Sequence, residues 1–117
     1  MSDRAAAGPP ESVRRALVAF RALLEQRFAG RLRSVTLFGS YARGDAEAES
    51  DVDVAVVIDD LGEAERTEAV DLALTARRSV GGGPMLSPLV WSRQQWEARL
   101  GAERRIALDI ASEGIPV

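Results

Sequence analysis

The sequence predicts a small α/β fold in which helices alternate with the strands of one sheet. Three observations predict it: apolar residues at helical spacing near the start, three apolar runs of strand length, and glycine-rich or acidic breaks between them. A chain of 117 residues is large enough for one domain. We expect residues 1–10, which contain a glycine and two prolines, to form a flexible tail and residues 11–117 to form that domain.

The first element is an amphipathic helix from Glu11 to about Phe28, ending near Gly30. Its apolar residues recur every three or four positions, while arginines and glutamates fill the other faces. The first strand follows from Arg33 to Phe38 and ends at Gly39. We interpret the apolar stripe of the helix as the face that packs on the sheet.

A short helical turn is expected from Ser40 to Gly44, followed by a polar loop from Asp45 to Ser50. The run from Val52 to Ile58 is nearly all apolar after its second residue, which is typical of a central strand buried on both faces. Asp60 and Glu63 match a capping box for a second helix from about Leu61 to Val80. The adjacent pair Asp59 and Asp60 is therefore interpreted as a helix start and not as a metal site.

The remaining part of the chain predicts one more strand and two short helices. Gly81-Gly82-Gly83-Pro84 ends the second helix in a turn, and Met85 to Trp91 has the composition of a strand. Ser92 and Gln95 form a second capping box, and Trp91 and Trp96 have the spacing of a hydrophobic staple. The two helices are expected from Arg93 to about Leu100 and from Glu103 to about Ser112.

Composition excludes several kinds of chemistry. The chain has no cysteine, so disulfides, zinc-thiolate sites and thiol nucleophiles are ruled out, and it has no histidine to act as a general base. The net charge of −3 argues against direct nucleic-acid binding. No apolar run approaches the roughly 20 residues that span a bilayer, and we expect a cytoplasmic protein without membrane contact. Catalysis would depend on carboxylates, hydroxyls, arginines and bound metal.

Asp51 and Asp53 stand at alternate positions where the second strand begins. Alternate residues of a strand project to the same face, so the two carboxylates should lie together. They repel each other unless a divalent cation binds to them, and oxygen ligands of this kind suit magnesium or manganese. Gly39 allows a close approach of the backbone to a ligand, and the N–H groups after it, with the Ser40 hydroxyl, can hold phosphate oxygens.

These residues form a string, Gly39-Ser40-Tyr41-Ala42-Arg43-Gly44 followed by Ser50-Asp51-Val52-Asp53, that resembles a known family. It is similar to the signature of the DNA polymerase β-type nucleotidyltransferases, and closest to their minimal members, the MNT domains, commonly the antitoxins of HEPN/MNT toxin–antitoxin pairs. The resemblance is strongest between Val35 and Ile58. It implies a polymerase β-like fold, with a small mixed sheet and helices against one side.

The resemblance also implies roles for individual residues. Gly39 and Ser40 would hold the distal phosphates of ATP, the nucleotide substrate, and Asp51 and Asp53 would be catalytic and bind Mg²⁺, in a site that could hold two metal ions. Arg43 lies in the same loop, where it either contacts phosphate or is a surface arginine.

One position departs from the family pattern. The superfamily usually has a third carboxylate on a later strand, and the position that aligns with it here is Ser87, whose hydroxyl cannot replace a carboxylate. Pro88 next to it suggests an edge strand. Three explanations remain open: a substitute carboxylate from Glu47, Glu49 or Asp59, completion of the site by a partner, or binding of Mg-ATP with slow or no transfer.

Two functions are compatible with these features. The first is an antitoxin enzyme that transfers AMP from Mg-ATP to a protein hydroxyl, a tyrosine of a HEPN toxin. The alternative is a weak or inactive MNT-fold binding module that neutralises its HEPN partner by occlusion, which the substitution at Ser87 favours and the intact Asp51 and Asp53 oppose. Transfer to a small molecule fits less well, because one domain leaves no room for a second substrate-binding half.

Overall fold

A computed structural model describes residues 8–47 and 49–117 of the chain. Of the predicted flexible tail, residues 1–7 lie outside the described residues. The elements in chain order are α1 (Glu11–Arg27), β1 (Leu32–Phe38), α2 (Ser40–Arg43), β2 (Val52–Ile58), α3 (Glu63–Ser79), β3 (Leu86–Ser92), α4 (Arg93–Gly101), α5 (Arg105–Glu113) and β4 (Ile115–Pro116).

The four strands form one mixed sheet in the order β3-β2-β1-β4. β1 pairs antiparallel with β2 and with β4, whereas β2 and β3 are parallel. β2 is a central strand and all its residues except Asp53 are buried, as its apolar run predicts. Pro88 lies on β3 at the edge of the sheet, where a missing backbone donor is tolerated.

Helices cover both faces of this sheet. One face packs against α1 and α3 around the fully buried Phe20, Leu24 and Phe28. On the other face, a smaller cluster joins Ala55 of β2 to Trp91, Trp96 and Ile110 at the end of β3 and in the last two helices. The α/β fold is confirmed, and the expectation of helices against one side alone is wrong, because α4 and α5 cover the second face.

The predicted start of the helix after β2 is wrong. α3 begins at Glu63, with Gly62 as its N-cap, and Glu65 Oε1 accepts the N–H of Gly62 at 3.1 Å. Asp60 cannot act as the cap because it adopts a left-handed backbone, with φ at 53°. Its neighbour Asp59 is instead an ion-pair partner of Arg33 on β1, with Nε to Oδ2 at 2.6 Å.

The predicted capping box of α4 is confirmed. Gln95 N donates to Ser92 Oγ at 3.1 Å, and Ser92 N donates to Gln95 Oε1 at 2.9 Å. Trp91 and Trp96 stack with ring centroids 5.6 Å apart, as the staple spacing predicts. α5 begins at Arg105, two residues later than expected, because Glu103 has a φ of 55° that no helix accommodates.

Ion pairs tie α1 and the following turn to α3. Arg27 forms two hydrogen bonds to the Glu68 carboxylate, and Arg31 NH2 contacts Glu65 Oε2 at 2.6 Å. The hydrogen bond from Arg31 is the main reason why the pKa of Glu65 falls to about 2, with the Gly62 N–H adding to it. Within the described ranges, none of the helices has the length and apolar character needed to cross a bilayer.

Candidate functional site

The turn from β1 into α2 has a backbone that only glycine adopts readily. Gly39 has φ 75° and ψ −154°, in a region that is costly for any residue with a Cβ. Gly39 O accepts the N–H groups of Ala42 and Arg43, both at 3.0 Å, and Gly44 ends α2 in a left-handed conformation. The predicted turn after the glycine is therefore present.

The first amides of α2 have no acceptor within the helix. The N–H groups of Ser40 and Tyr41 belong to the first turn, where no carbonyl lies one turn back to receive them. Tyr41 itself is buried in the main core, so the turn is anchored to the body of the domain. Backbone donors thus lie next to the Ser40 hydroxyl, the group that the sequence assigns to phosphate.

Asp53 lies directly against this turn. Its register partner on β1 is Phe38, the residue before Gly39. A Cβ added to Gly39 would overlap Asp53 Oδ2 and stand 3.1 Å from Asp53 Cγ. The glycine is therefore required twice, once for its positive φ and once for the space that the carboxylate occupies.

Burial raises the pKa of Asp53, and the charge of Asp51 raises it further, while the charge of Arg43 opposes the shift. Asp51 immediately precedes β2 and is exposed. The structure thus brings the two aspartates within electrostatic range of each other, but they differ in environment, since Asp53 is half-buried in the sheet and Asp51 lies at its rim.

An open cleft of about 470 Å³ lies over this part of the sheet. It contains four of the sequence-predicted site residues together with five residues that were not predicted. The lining consists of Phe38, Gly39, Ser40, Arg43, Asp53, Arg105, Ile106, Asp109 and Glu113. Asp51 is the predicted site residue that does not line it.

The wall of the cleft that α5 contributes was not predicted from the sequence. Arg105, Asp109 and Glu113 are spaced by four residues each, so they form one charged stripe along α5. That spacing was visible in the sequence. Nothing local showed that the stripe faces Gly39 and Asp53, which lie more than fifty residues earlier in the chain.

Arg43 carries charge into the cleft and is held by two carboxylates. Its Nε donates to Asp45 Oδ2 at 3.3 Å, and its NH1 lies 3.5 Å from Glu113 Oε1. The hydrogen bond to Asp45 is the main cause that raises the pKa of Arg43. Arg43 is therefore a cleft residue as well as a partly exposed one.

The position beside Asp53 on β3 carries no carboxylate. Ser87 is the register partner of Asp53 and is exposed. Among the proposed substitutes, Asp59 lies at the far end of β2 and is bound to Arg33. Glu47 and Glu49 are exposed loop residues that do not line the cleft.

The residues present fit one hard cation that shares its coordination with a ligand. Asp51 and Asp53 offer only oxygen donors, and their mutual repulsion would be relieved by a cation. Across residues 8–47 and 49–117, no three acidic side chains converge closely enough to hold a metal by themselves. The remaining ligands would have to be water or phosphate oxygens, which is the coordination that Mg²⁺ prefers.

Comparisons with known proteins agree with this geometry. The family model described as a nucleotidyltransferase domain matches residues 18–80, a little over half of the chain and the part that carries Gly39 to Asp53. Two proteins of Methanocaldococcus jannaschii named "putative protein adenylyltransferase" are similar to it. One is 44% identical over 45 residues, which are 38% of this chain and 45% of that protein. The other is 33% identical over 63 residues, 54% of this chain and 63% of that protein.

The matched segments therefore span less than two thirds of either relative. Among solved structures, a toxin–antitoxin complex with AMP-PNP contains a chain that is similar in fold, with a TM-score of 0.53 and 19% sequence identity. That match covers 83% of this chain and 68% of the other. At this level of identity, the likeness concerns the fold alone.

Proposed function

The chain belongs to the nucleotidyltransferase domain family. From this premise we propose that it is an MNT-type domain that transfers AMP from Mg-ATP to a hydroxyl group of a partner protein. The observation that carries the proposal is the Asp53 carboxylate packed against Gly39, in the lining of a cleft that also includes Ser40 and Arg43. A carboxylate and a phosphate-holding turn in direct contact are what a metal-nucleotide site requires.

Each residue has a distinct role in this proposal. The Ser40 hydroxyl and the first amides of α2 bind the distal phosphates, and Arg43 neutralises part of their charge. Asp51 and Asp53 would hold Mg²⁺, which lowers the charge of the triphosphate and of the departing pyrophosphate. The open side of the cleft leaves room for the acceptor.

The reaction is an in-line displacement at the α-phosphorus. The acceptor oxygen forms a bond to that phosphorus while the bond to the β-phosphate oxygen breaks, and pyrophosphate leaves. The acceptor proton passes to water in the open cleft. The chain supplies no covalent nucleophile and the step needs none, because positioning and charge stabilisation account for this kind of transfer.

A HEPN-family toxin is the proposed partner, with a tyrosine as acceptor, and the reaction would silence the toxin in the cytoplasm. The names of the two archaeal relatives support a protein acceptor. The toxin–antitoxin complex supports a partner toxin and a bound adenine nucleotide. A single small domain fits a protein acceptor that brings its own docking surface.

A second candidate is neutralisation by occlusion, without transfer. The specific observation that favours it is the hydroxyl of Ser87 at the β3 position beside Asp53, where the family usually has a third carboxylate. In that case the domain would bind the nucleotide and its partner but would turn over slowly or not at all.

The test is the intact mass of a HEPN-family toxin after incubation with this chain, ATP and Mg²⁺. Transfer predicts mass increments of whole AMP units that disappear with the Asp51→Ala, Asp53→Ala variant. Asp71→Ala, which removes an exposed carboxylate of α3, is the matched control and should leave the increments unchanged. A toxin that stays unmodified but is still bound and silenced would favour occlusion.

A further inference from the structure

Arg43 lines the cleft and forms an ion pair with the last residue of α5. Of its two carboxylate partners, Asp45 lies two residues further along the chain, whereas Glu113 is the last residue of α5. The contact to Glu113 is an ion pair at 3.5 Å, and the Glu113 side chain keeps 38% of its surface exposed. The same guanidinium is the one proposed to bind phosphate, so phosphate and Glu113 require the same positive charge.

The position of Glu113 is fixed by its neighbour. A Cβ added to Gly114 would overlap Thr36 of β1 and the Ile110 carbonyl, so the end of α5 presses against the sheet at this point. Thr36 is two residues before Phe38, which lines the cleft. Close packing at Gly114 therefore holds the Glu113 backbone at the cleft.

Helix stability does not explain a glutamate at this position. Glu113 is the last residue of α5, where the helix dipole favours a cation and disfavours a carboxylate. Among the described residues, Arg43 is its one ion-pair partner, and the distance between Arg43 NH1 and Glu113 Oε1 is 3.5 Å. The negative charge of Glu113 is therefore in an electrostatically unfavourable position, beside the turn proposed to bind phosphate.

The described lining of the cleft carries three carboxylates, those of Asp53, Asp109 and Glu113, against the two guanidiniums of Arg43 and Arg105. A triphosphate without a cation would enter a cleft whose lining is already net negative and whose Arg43 is already paired. A cation-bound triphosphate carries less negative charge and meets a smaller barrier.

From this geometry we propose that Glu113 competes with the nucleotide phosphates for Arg43 and thereby restricts the cleft to the cation-bound nucleotide. The proposal rests on the proposed function, since it assumes that the nucleotide binds at Gly39, Ser40 and Arg43. It adds a specificity-determining residue that selects the metal complex over the free triphosphate.

The test is calorimetric titration of AMP-PNP into the purified chain, once with Mg²⁺ and once with EDTA. In Glu113→Gln, the affinity for metal-free AMP-PNP should rise roughly two- to fivefold, the range expected for a partly exposed ion pair when Asp45 still pairs with Arg43. The affinity for the magnesium complex should change less. Glu97→Gln is the matched control, because it removes an exposed carboxylate of α4 that pairs with Arg93 outside the cleft. This variant should leave both affinities unchanged.

Replacing Arg43 separates competition from a general effect of charge. In an Arg43→Ala background, Glu113→Gln should no longer raise the metal-free affinity. Equal affinities of wild type and Glu113→Gln for AMP-PNP in EDTA would overturn the proposal. Weaker binding of both nucleotide forms by Glu113→Gln would also overturn it, because Glu113 would then be a residue that positions Arg43. If the wild-type chain binds no AMP-PNP even with Mg²⁺, the proposed function itself fails and the role of Glu113 falls with it.

Discussion

Gly39→Ala is the substitution that most sharply tests the geometry of the turn. The backbone at Gly39 lies in a region essentially restricted to glycine, which costs an alanine about 1–3 kcal/mol. The new methyl group would also overlap Asp53 Oδ2 and approach Asp53 Cγ at 3.1 Å, so the carboxylate would have to move. We expect a total loss of about 2–4 kcal/mol in the free energy of unfolding.

Gly44→Ala is the matched control in urea unfolding monitored by circular dichroism. Gly44 also has a positive φ, 86°, but a Cβ there would meet no atom within 4 Å. We expect a loss of about 1 kcal/mol, from the backbone alone. Part of the excess at Gly39 should disappear in an Asp53→Ala background, because the overlapping carboxylate is then absent. If Gly39→Ala costs no more than Gly44→Ala, the close contact between Gly39 and Asp53 does not exist in solution.

Three further predictions concern stability. Asp53→Asn should raise the urea midpoint of the metal-free chain at neutral pH. The pKa of Asp53 is raised in the folded state, so ionisation of this carboxylate destabilises the fold as pH rises. Below pH 3.8, the ordinary pKa of the group, the urea midpoints of variant and wild type should converge. Glu65→Gln should lower the urea midpoint at neutral pH, because the lowered pKa of Glu65 makes its ionised form stabilising. The decrease of the urea midpoint between pH 4.5 and about 2 should be smaller in the variant than in wild type. An equal decrease in both proteins would contradict the pairing with Arg31. Trp96→Ala should cost about 2 kcal/mol in thermal unfolding through the lost stack on Trp91, and a loss within error would exclude that stack.

The elements with strong local signals were predictable from the sequence. β2 was predicted with its observed limits. The run from Val52 to Ile58 contains one polar residue, and such a nearly continuous apolar run is typical of a central strand buried on both faces. The turn at Gly39 and the capping box at Ser92 were also predictable, because short-range hydrogen bonds and backbone conformation determine them. These signals act within about four residues.

Features that depend on distant partners were not predictable in the same way. Asp60 and Glu63 have the spacing of a capping box, but the ion pair of Asp59 with Arg33 and the left-handed Asp60 displace the helix start. β4 has only two residues, Ile115 and Pro116, and exists because β1 offers it an edge. Local sequence therefore predicts neither the start of α3 nor the presence of β4.

The candidate site also has a part that local sequence predicts and a part that depends on distant packing. The residues from Gly39 to Asp53 could be found because they form one contiguous string that folds back on itself through adjacent strands. Asp51 and Asp53 were expected to project together from one strand. Only Asp53 belongs to β2 and lines the cleft, since β2 starts between the two residues. The contribution of α5 depends on how the last helix packs on the sheet, which Gly114 and Thr36 decide by their close contact.

In the proposed site, Asp51 and Asp53 hold a divalent cation together with a triphosphate bound at Gly39 and Ser40. The most direct measurement is a crystal structure of the chain with AMP-PNP and Mn²⁺, in which anomalous scattering locates the manganese. We expect a manganese peak in contact with both aspartates and with phosphate oxygens that lie at the Ser40 amide. A nucleotide bound elsewhere, or a manganese position without Asp53 as a ligand, would refute the proposed metal-nucleotide site.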